Sequence, residues 1–168
     1  MEQTFNLQRF LNAQNDGTRG TTYAQALSEI KAGYKRSHWV WYVFPQIKGI
    51  PGTHSGNAKT YAFTCRDEAK AYWEEPVLRA RMEEILEALL QHKGKDILII
   101  MGSEIDALKL RSSMTIFYYA TLEPIFKKVI DTFFHSSFDH LTTKILHNLQ
   151  EAAKKKAAEQ AKAEQQEQ

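Results

Sequence analysis

The sequence predicts an all-α protein, a single compact domain of short and medium helices around an aromatic-rich core. Apolar residues recur at three- and four-residue steps along most of the chain, which is the spacing of amphipathic helices. Capping residues or prolines stand at the start of several of these stretches. No second apolar run is a convincing partner strand for residues 97–101, and an isolated strand is not stable.

Two helices are expected before residue 34. Asn6 is placed to cap a short helix that begins at Leu7. Thr22 and Gln25 then form a capping box at the start of a second helix. Gly33 is placed to end that helix in the left-handed conformation.

An aromatic stretch over residues 37–46 follows, and it contains Trp39 and Trp41. Such a run cannot stay in water, so the rest of the chain must cover it. Aromatic and β-branched residues favour a strand by propensity, and a short apolar run has no periodicity to decide the question. Because Ser37 can serve as an N-cap and Pro45 would end a helix, we expect a buried helical segment.

The remaining elements are predicted from local signals. Residues 46–57 are rich in glycine and form a long loop. Capping boxes are expected at Thr64/Asp67 and Ser103/Asp106, and first-turn prolines at Pro76 and Pro124. Residues 97–101 form either a lone strand or a buried helical turn, and the turn is favoured. A final helix is predicted from about Asp139.

The composition changes abruptly after Gln150, where Ala, Lys, Glu and Gln dominate. No apolar side chain larger than alanine occurs there, so this segment cannot contribute to a core. We therefore divide the chain into one helical domain, residues 1–150, and a solvated helical or disordered tail, residues 151–168.

Charge and hydropathy exclude several classes of function. The net charge of +2 is too small for bulk affinity to nucleic acid or membranes, so any basic site must be local. The longest apolar runs are too short to span a bilayer. One cysteine, Cys65, and an N-terminus unlike a signal peptide indicate a cytoplasmic protein.

Two motifs carry a family resemblance. The first, over residues 35–46, reads KRSHWxWxxFPQ, and the second, over residues 106–117, reads DxxKLRSSMTxF. In these motifs the chain resembles a bacterial family of unknown function whose members are sometimes labelled calpastatin-like. The resemblance covers roughly residues 5–149. It implies a mainly α-helical single domain and no established reaction.

The same motifs supply the candidate ligand-binding residues, which are Lys35, Arg36, Trp39, Gln46, Lys109 and Arg111. Cationic groups beside hydroxyls and a helix start are suited to phosphate or carboxylate, because they donate charged hydrogen bonds. Neighbouring aromatic rings could stack on a base or sugar. The alternatives are that the basic residues are solvated and that Trp39 and Trp41 belong to the core.

His38, Ser112 and Ser113 are the candidate catalytic residues. A near-neutral pKa suits histidine to proton transfer, and a nucleophilic serine would need that histidine within hydrogen-bond reach. The alternative is that His38 hydrogen-bonds the backbone and the serines cap a helix. His135, Asp139 and His140 match no common zinc spacing, so no metal or other cofactor is predicted.

Two functions are compatible with these residues. The first is a binding module for an anionic small molecule, such as a nucleotide-like one; the second is an enzyme that uses His38 as acid or base on such a ligand. A protein-interaction domain is a further alternative. We also expect the two motifs to meet, with Lys35, Arg36, His38, Lys109, Arg111 and Ser112 around one cavity. The positive charges would repel one another there unless a carboxylate such as Asp106 or a bound anion compensates them.

Overall fold

The structure is a computed structural model that describes residues 4–17 and 21–167. Regular structure in these ranges is helical, and the elements follow one another along the chain. The α-helices are α1 (Gln8–Asn12), α2 (Tyr23–Ala32), α3 (Val40–Val43), α4 (Gly56–Tyr61), α5 (Arg66–Glu74), α6 (Pro76–Leu90), α7 (Ile97–Ile100), α8 (Glu104–Thr121), α9 (Pro124–Phe133) and α10 (His140–Gln166), with a π-helical turn at Ala13–Gly17. An isolated parallel β-bridge joins Ile47 and Phe63. The all-α prediction is confirmed.

Helix α8 occupies the centre of the fold and packs against α5, α9 and α10. Its Phe117 belongs to a continuous aromatic cluster with Phe63, Tyr72 and Phe126, in which neighbouring ring centroids lie 5.0–5.8 Å apart. Phe10 joins the cluster from α1, with its ring 5.0 Å from that of Tyr72. All five rings are buried, and large aromatic side chains dominate the energetics of such a core. The expected aromatic-rich core is therefore present.

Local signals located several helix ends correctly. Thr22 accepts a hydrogen bond from the Gln25 amide, and Ser103 accepts one from the Asp106 amide. Gly33 ends α2 with φ 80°. Pro76 and Pro124 open α6 and α9. Each of these predictions depends on atoms only a few residues apart.

Two predicted caps are wrong. Helix α1 begins at Gln8 after Leu7, and no side chain caps it, so Asn6 has no such role. Helix α5 begins after Cys65, and the carboxylate of Glu68 accepts hydrogen bonds from the amide and hydroxyl of Thr64. Because the helix begins one residue later than predicted, Glu68 and not Asp67 is its third residue, the position from which a side chain reaches back to the preceding amides. The carboxylate of Glu68 also pairs with Arg9 at 2.8 Å.

The aromatic stretch contains a helical segment, as predicted, but it is only one turn long. Helix α3 spans Val40–Val43 and ends before Pro45. Ser37 does not cap it, because the Ser37 hydroxyl donates a hydrogen bond to Glu29 instead. Residues 97–101 also form a helical turn, α7, whose first amides are capped by Asp96.

The last helix, α10, extends far beyond the core. Asp139 caps it, and it continues to Gln166. Every side chain from residue 147 to 167 is exposed. Residues 151–166 are thus helical, one of the two forms expected for the tail. None of the helices in the described ranges is both long and apolar enough to cross a membrane.

Candidate anion-binding site

The segment that leads into the aromatic stretch, residues 33–39, is held against α7 and α8. The Lys35 amide donates a 2.7 Å hydrogen bond to the Ile100 carbonyl at the end of α7. Gly102 passes so close that a Cβ there would lie 2.6 Å from the Lys35 carbonyl oxygen. Gly102 also has φ +79°, a conformation that favours glycine. These contacts bring the first motif to the start of the second.

Glu29 of α2 organises the other side of this segment. Within the described part of the chain its carboxylate accepts five hydrogen bonds, at 2.5–3.0 Å. The donors are the amides of Arg36 and Ser37, the Ser37 hydroxyl, the Trp39 indole N–H and the Gln25 side chain. Glu29 is only 5% exposed. The Ser37 hydroxyl and the backbone donors of the first motif therefore bind a carboxylate of the same chain.

This arrangement keeps Glu29 ionised. Burial raises the pKa of its carboxyl. The hydrogen bonds from Ser37, Trp39 and the Arg36 amide lower the pKa by more than burial raises it, so the pKa falls to about 2. The donors are neutral, so the negative charge is stabilised without a cationic partner. The result is a rigid segment that places Lys35 and His38 beside α8.

The two motifs meet through Asp106. Its Oδ2 lies 2.6 Å from the Lys35 ammonium, and its Oδ1 lies 3.6 Å from the Lys109 ammonium. Lys35 is 6% exposed, and its Nζ also donates a 2.5 Å hydrogen bond to the Ser37 carbonyl. A single carboxylate is thus shared by two ammonium groups. The trio carries one net positive charge.

A cavity of about 260 Å³ opens beside this trio. Trp41 provides its aromatic wall and is half-buried. The Lys109 Nζ lies 5.3 Å from the centre of the Trp41 ring, within the range of a cation–π contact. The exposed His38 ring stacks on Trp41 with a centroid distance of 6.2 Å. Val40 and Ile105 complete an apolar floor and rim.

The predicted site residues from the middle of the second motif lie outside this cavity. The Arg111 guanidinium donates to the Ser137 carbonyl and hydroxyl at 2.7 Å, so it ties α8 to the segment before α10. Ser112 is buried, and its hydroxyl is hydrogen-bonded to Thr142 at 2.9 Å. Ser113 is fully buried, and its hydroxyl has no hydrogen-bond partner among the described residues. The structure therefore brings together Lys35, His38 and Lys109, but not the serines.

The remaining predicted residues are placed around the first motif. Trp39 lines the cavity although it is fully buried, with its indole N–H on Glu29. Arg36 is exposed, and its guanidinium lies 5.8 Å from the centre of the Tyr34 ring. Gln46 is half-buried, and its carbonyl accepts the Phe63 amide. Neither Arg36 nor Gln46 lines the cavity.

Glu29 is a site residue that the sequence reasoning missed. A signal for Glu29 was present, because it stands three residues after Ala26 and directly before Ile30 on the apolar side of α2. A carboxylate in that position needs buried donors. Asp106 was expected both in a capping box with Ser103 and as a carboxylate that offsets the basic residues, and its side chain does turn to Lys35 while Ser103 caps the helix.

The acidic residue near α10, Asp139, has a structural role. Asp139 accepts hydrogen bonds from Thr142 and caps the helix. Across residues 4–17 and 21–167, no group of three or more His, Cys, Asp or Glu side chains lies close enough to hold a metal ion.

The fold and the site together define the class of protein: an all-α domain with a small basic and aromatic cavity where the two motifs meet. The chain belongs to the family described as "Protein of unknown function (DUF1810)", whose model matches residues 4–146. It is also similar to the conserved hypothetical protein Rv1873 from Mycobacterium tuberculosis, a crystal structure with 35% sequence identity and a TM-score of 0.77. That similarity covers 85% of this chain and 97% of the other. No curated protein matches the sequence.

Proposed function

We propose that this protein binds a small anionic ligand in the cavity between residues 35–41 and the first turns of α8. The observation that carries the proposal is the sharing of Asp106 between Lys35 and Lys109. Lys35 is almost fully buried and has the shorter contact, so the positive charge that remains belongs to Lys109 at the cavity wall. An anion bound there would balance this charge.

The shape of the cavity limits the ligand. A volume of about 260 Å³ lies just below the usual range for small-molecule pockets, roughly 300–1,000 Å³. It accommodates a carboxylate or phosphate attached to a single ring. The ring would lie against Trp41 and His38, where stacking on an aromatic side chain contributes about 1–3 kcal/mol per base in nucleic-acid sites. A nucleotide would have to extend beyond the rim.

The contacts of the lining residues support binding over catalysis. A nucleophilic serine would need His38 within reach, but Ser112 and Ser113 point into the core. Ser103 lines the cavity, but its hydroxyl caps α8. Asp106, which could orient a histidine, is engaged by two ammonium groups. The enzyme hypothesis therefore lacks a free serine hydroxyl or carboxylate beside His38 among the lining residues.

The test is a thermal-shift series with inorganic phosphate, phenyl phosphate and adenosine monophosphate at ionic strength matched with chloride. A ligand at about ten times its Kd stabilises the folded state by roughly 1.4 kcal/mol, which raises the melting temperature by several degrees. We expect the largest rise with a ring-bearing phosphate. Inorganic phosphate also stabilises proteins by exclusion from their surface, so variants must separate the two effects.

The decisive comparison is between Lys109→Gln and Lys128→Gln. Both substitutions remove one positive charge from a helix, but Lys128 is an exposed residue of α9 away from the cavity. The stabilisation by phenyl phosphate should decrease in the first variant and persist in full in the second. Full stabilisation of Lys109→Gln, or equal loss in both variants, would show that the cavity is not the anion site.

A further inference from the structure

A second, larger cavity lies at the other end of α8, between α5 and α10. Its volume is about 620 Å³, well within the range of small-molecule sites. Residues 65–67 form one wall, Tyr119 of α8 forms the floor, and one side of α10 from His140 to Ala153 forms the other wall. None of these residues lines the cavity of the proposed function.

Four basic side chains of this cavity have no hydrogen-bond or ion-pair partner among the described residues. Arg66, His140, Lys144 and His147 line it, and none of the four forms a side-chain hydrogen bond or ion pair with another described residue. Elsewhere in the chain Arg9, Lys35 and Arg111 are all bound by protein oxygen atoms. The carboxylate of Asp67 is the acidic side chain among the lining residues. The cavity therefore has a surplus of positive charge and of hydrogen-bond donors.

The cavity also has an uncovered apolar strip. Leu146 and Leu149 lie three residues apart on α10 and line it beside Tyr119. Leu149 and Tyr119 are each 41% exposed, although large apolar side chains gain about 25 cal/mol for each Å² removed from water. A purely inorganic anion would leave this strip in water. An anion attached to an apolar body would cover it.

We infer that this cavity is a second binding site, for an organic phosphate or carboxylate with an aromatic or aliphatic body. Lys144 and Arg66 bind the anionic group from opposite walls, while Leu146, Leu149 and Tyr119 contact the apolar body. Part of the wall, from His147 to Ala153, lies beyond the family match at residue 146. The complete site is thus built with the C-terminal extension of α10.

Cys65 makes the inference directly testable, because it is the one cysteine in the sequence and it lines this cavity. Its reaction with the uncharged reagent 4,4′-dithiodipyridine forms a mixed disulfide and releases thiopyridone, which is measured by absorbance. The rate is compared in the full-length protein with phenyl phosphate, inorganic phosphate, benzyl alcohol or sodium chloride at matched ionic strength. We expect phenyl phosphate to slow the reaction several-fold and the other additives to have little effect.

Matched variants identify the charge that matters. Lys144→Gln should lose the protection, whereas Lys155→Gln should keep it, because Lys155 lies three turns further along the same exposed helix and outside the cavity. Lys144 is preferred to Arg66 for this test because it is not adjacent to the reporting thiol. Lys109→Gln should also keep the protection, which separates this site from that of the proposed function.

Three results would overturn the inference. If benzyl alcohol protected Cys65 as well as phenyl phosphate does, charge would not contribute to binding. If inorganic phosphate protected Cys65 equally well, the apolar strip would not contribute. Full protection in Lys144→Gln would place the anion elsewhere. Absence of protection at millimolar phenyl phosphate would mean that the cavity does not bind this class of ligand.

Discussion

Two carboxylates hold residues 35–39 from opposite sides, one through hydrogen bonds from neutral groups and the other through ion pairs. Glu29 is surrounded by neutral donors and is almost completely buried. Asp106 is paired with two ammonium groups, and its side chain is 19% exposed. The neutral donors fix the backbone and stabilise the negative charge of Glu29 by hydrogen bonds within the fold. Asp106 has two ammonium partners but only one negative charge, so one positive charge remains at the surface of a cavity.

Because of this difference, Glu29 stabilises the structure of the site, whereas the Asp106 side is the one suited to bind a ligand. A carboxylate with many neutral hydrogen bonds has no remaining affinity for an external ion, so Glu29 serves the fold. A carboxylate shared between two cations leaves a site for a second anion. The site for an external ligand is therefore expected on the Asp106 side, and variants on the two sides should have different effects.

The largest effect is expected for Glu29→Ala. It leaves the indole N–H of Trp39 and the amides of Arg36 and Ser37 without an acceptor in the interior. Buried donors that lose a charged acceptor cost about 1–3 kcal/mol each, and the sum is less than additive, so we expect a loss of about 4 kcal/mol in urea unfolding. Glu87→Ala on the exposed side of α6 is the control. A loss as small as that of the control would mean that the segment does not depend on Glu29.

The charge of Glu29 also predicts an acid limb of stability. Its folded-state pKa of about 2 lies below the ordinary value of 4.5, so the unfolded chain binds the proton more tightly. The stabilisation is complete above about pH 5 and is lost as the pH falls towards 2. Glu29→Gln, which keeps the size but cannot titrate, should therefore show a flatter dependence of unfolding free energy on pH in that range.

A smaller loss, about 3 kcal/mol, is expected for Asp106→Asn. Removal of the carboxylate leaves Lys35 buried without its counter-charge, and loss of one partner of a buried pair typically costs 3–5 kcal/mol. The same variant carries an additional positive charge at the cavity, so phenyl phosphate should stabilise it more than the unmodified protein. Asp131→Asn, whose pair with Lys127 is exposed, should change neither quantity appreciably. Weaker stabilisation by phenyl phosphate would contradict the charge argument.

The smallest of the three losses, roughly 2 kcal/mol, is expected for Gly102→Ala. An alanine there combines a positive φ with a Cβ 2.6 Å from the Lys35 carbonyl oxygen, and backbone strain of this kind costs about 1–3 kcal/mol. Gly94→Ala is the matched control, because Gly94 has φ +93° but open space around the position of a Cβ. The difference between the two variants measures the close approach alone. Equal losses would show that the contact with Lys35 is dispensable.

The sequence predicted the features that depend on neighbouring residues. Thr22, Ser103, Pro76 and Pro124 mark helix starts because capping and proline geometry involve atoms within one turn. The turn at residues 97–101 was also predicted correctly, since no partner strand existed for it. These signals were sufficient for the fold class.

The sequence could not predict the pairing of distant polar groups. Arg111 and Lys109 stand two residues apart in one motif, yet they point to different sides of α8, Arg111 towards Ser137 and Lys109 towards Trp41. Ser112 meets Thr142 thirty residues later in the chain. Such choices depend on which helices pack against α8, and local pattern contains no information about that packing.

The long exposed end of α10 has a hydrodynamic consequence. A helix of 27 residues is about 40 Å long at 1.5 Å per residue, and its last twenty residues carry no buried side chain. The molecule therefore rotates anisotropically, faster about the long axis of α10 than across it. Its Stokes radius exceeds that of a sphere of 19.4 kDa. A monomer of this shape elutes early from a sizing column and can be mistaken for a larger species, so its mass is better determined by light scattering or sedimentation equilibrium.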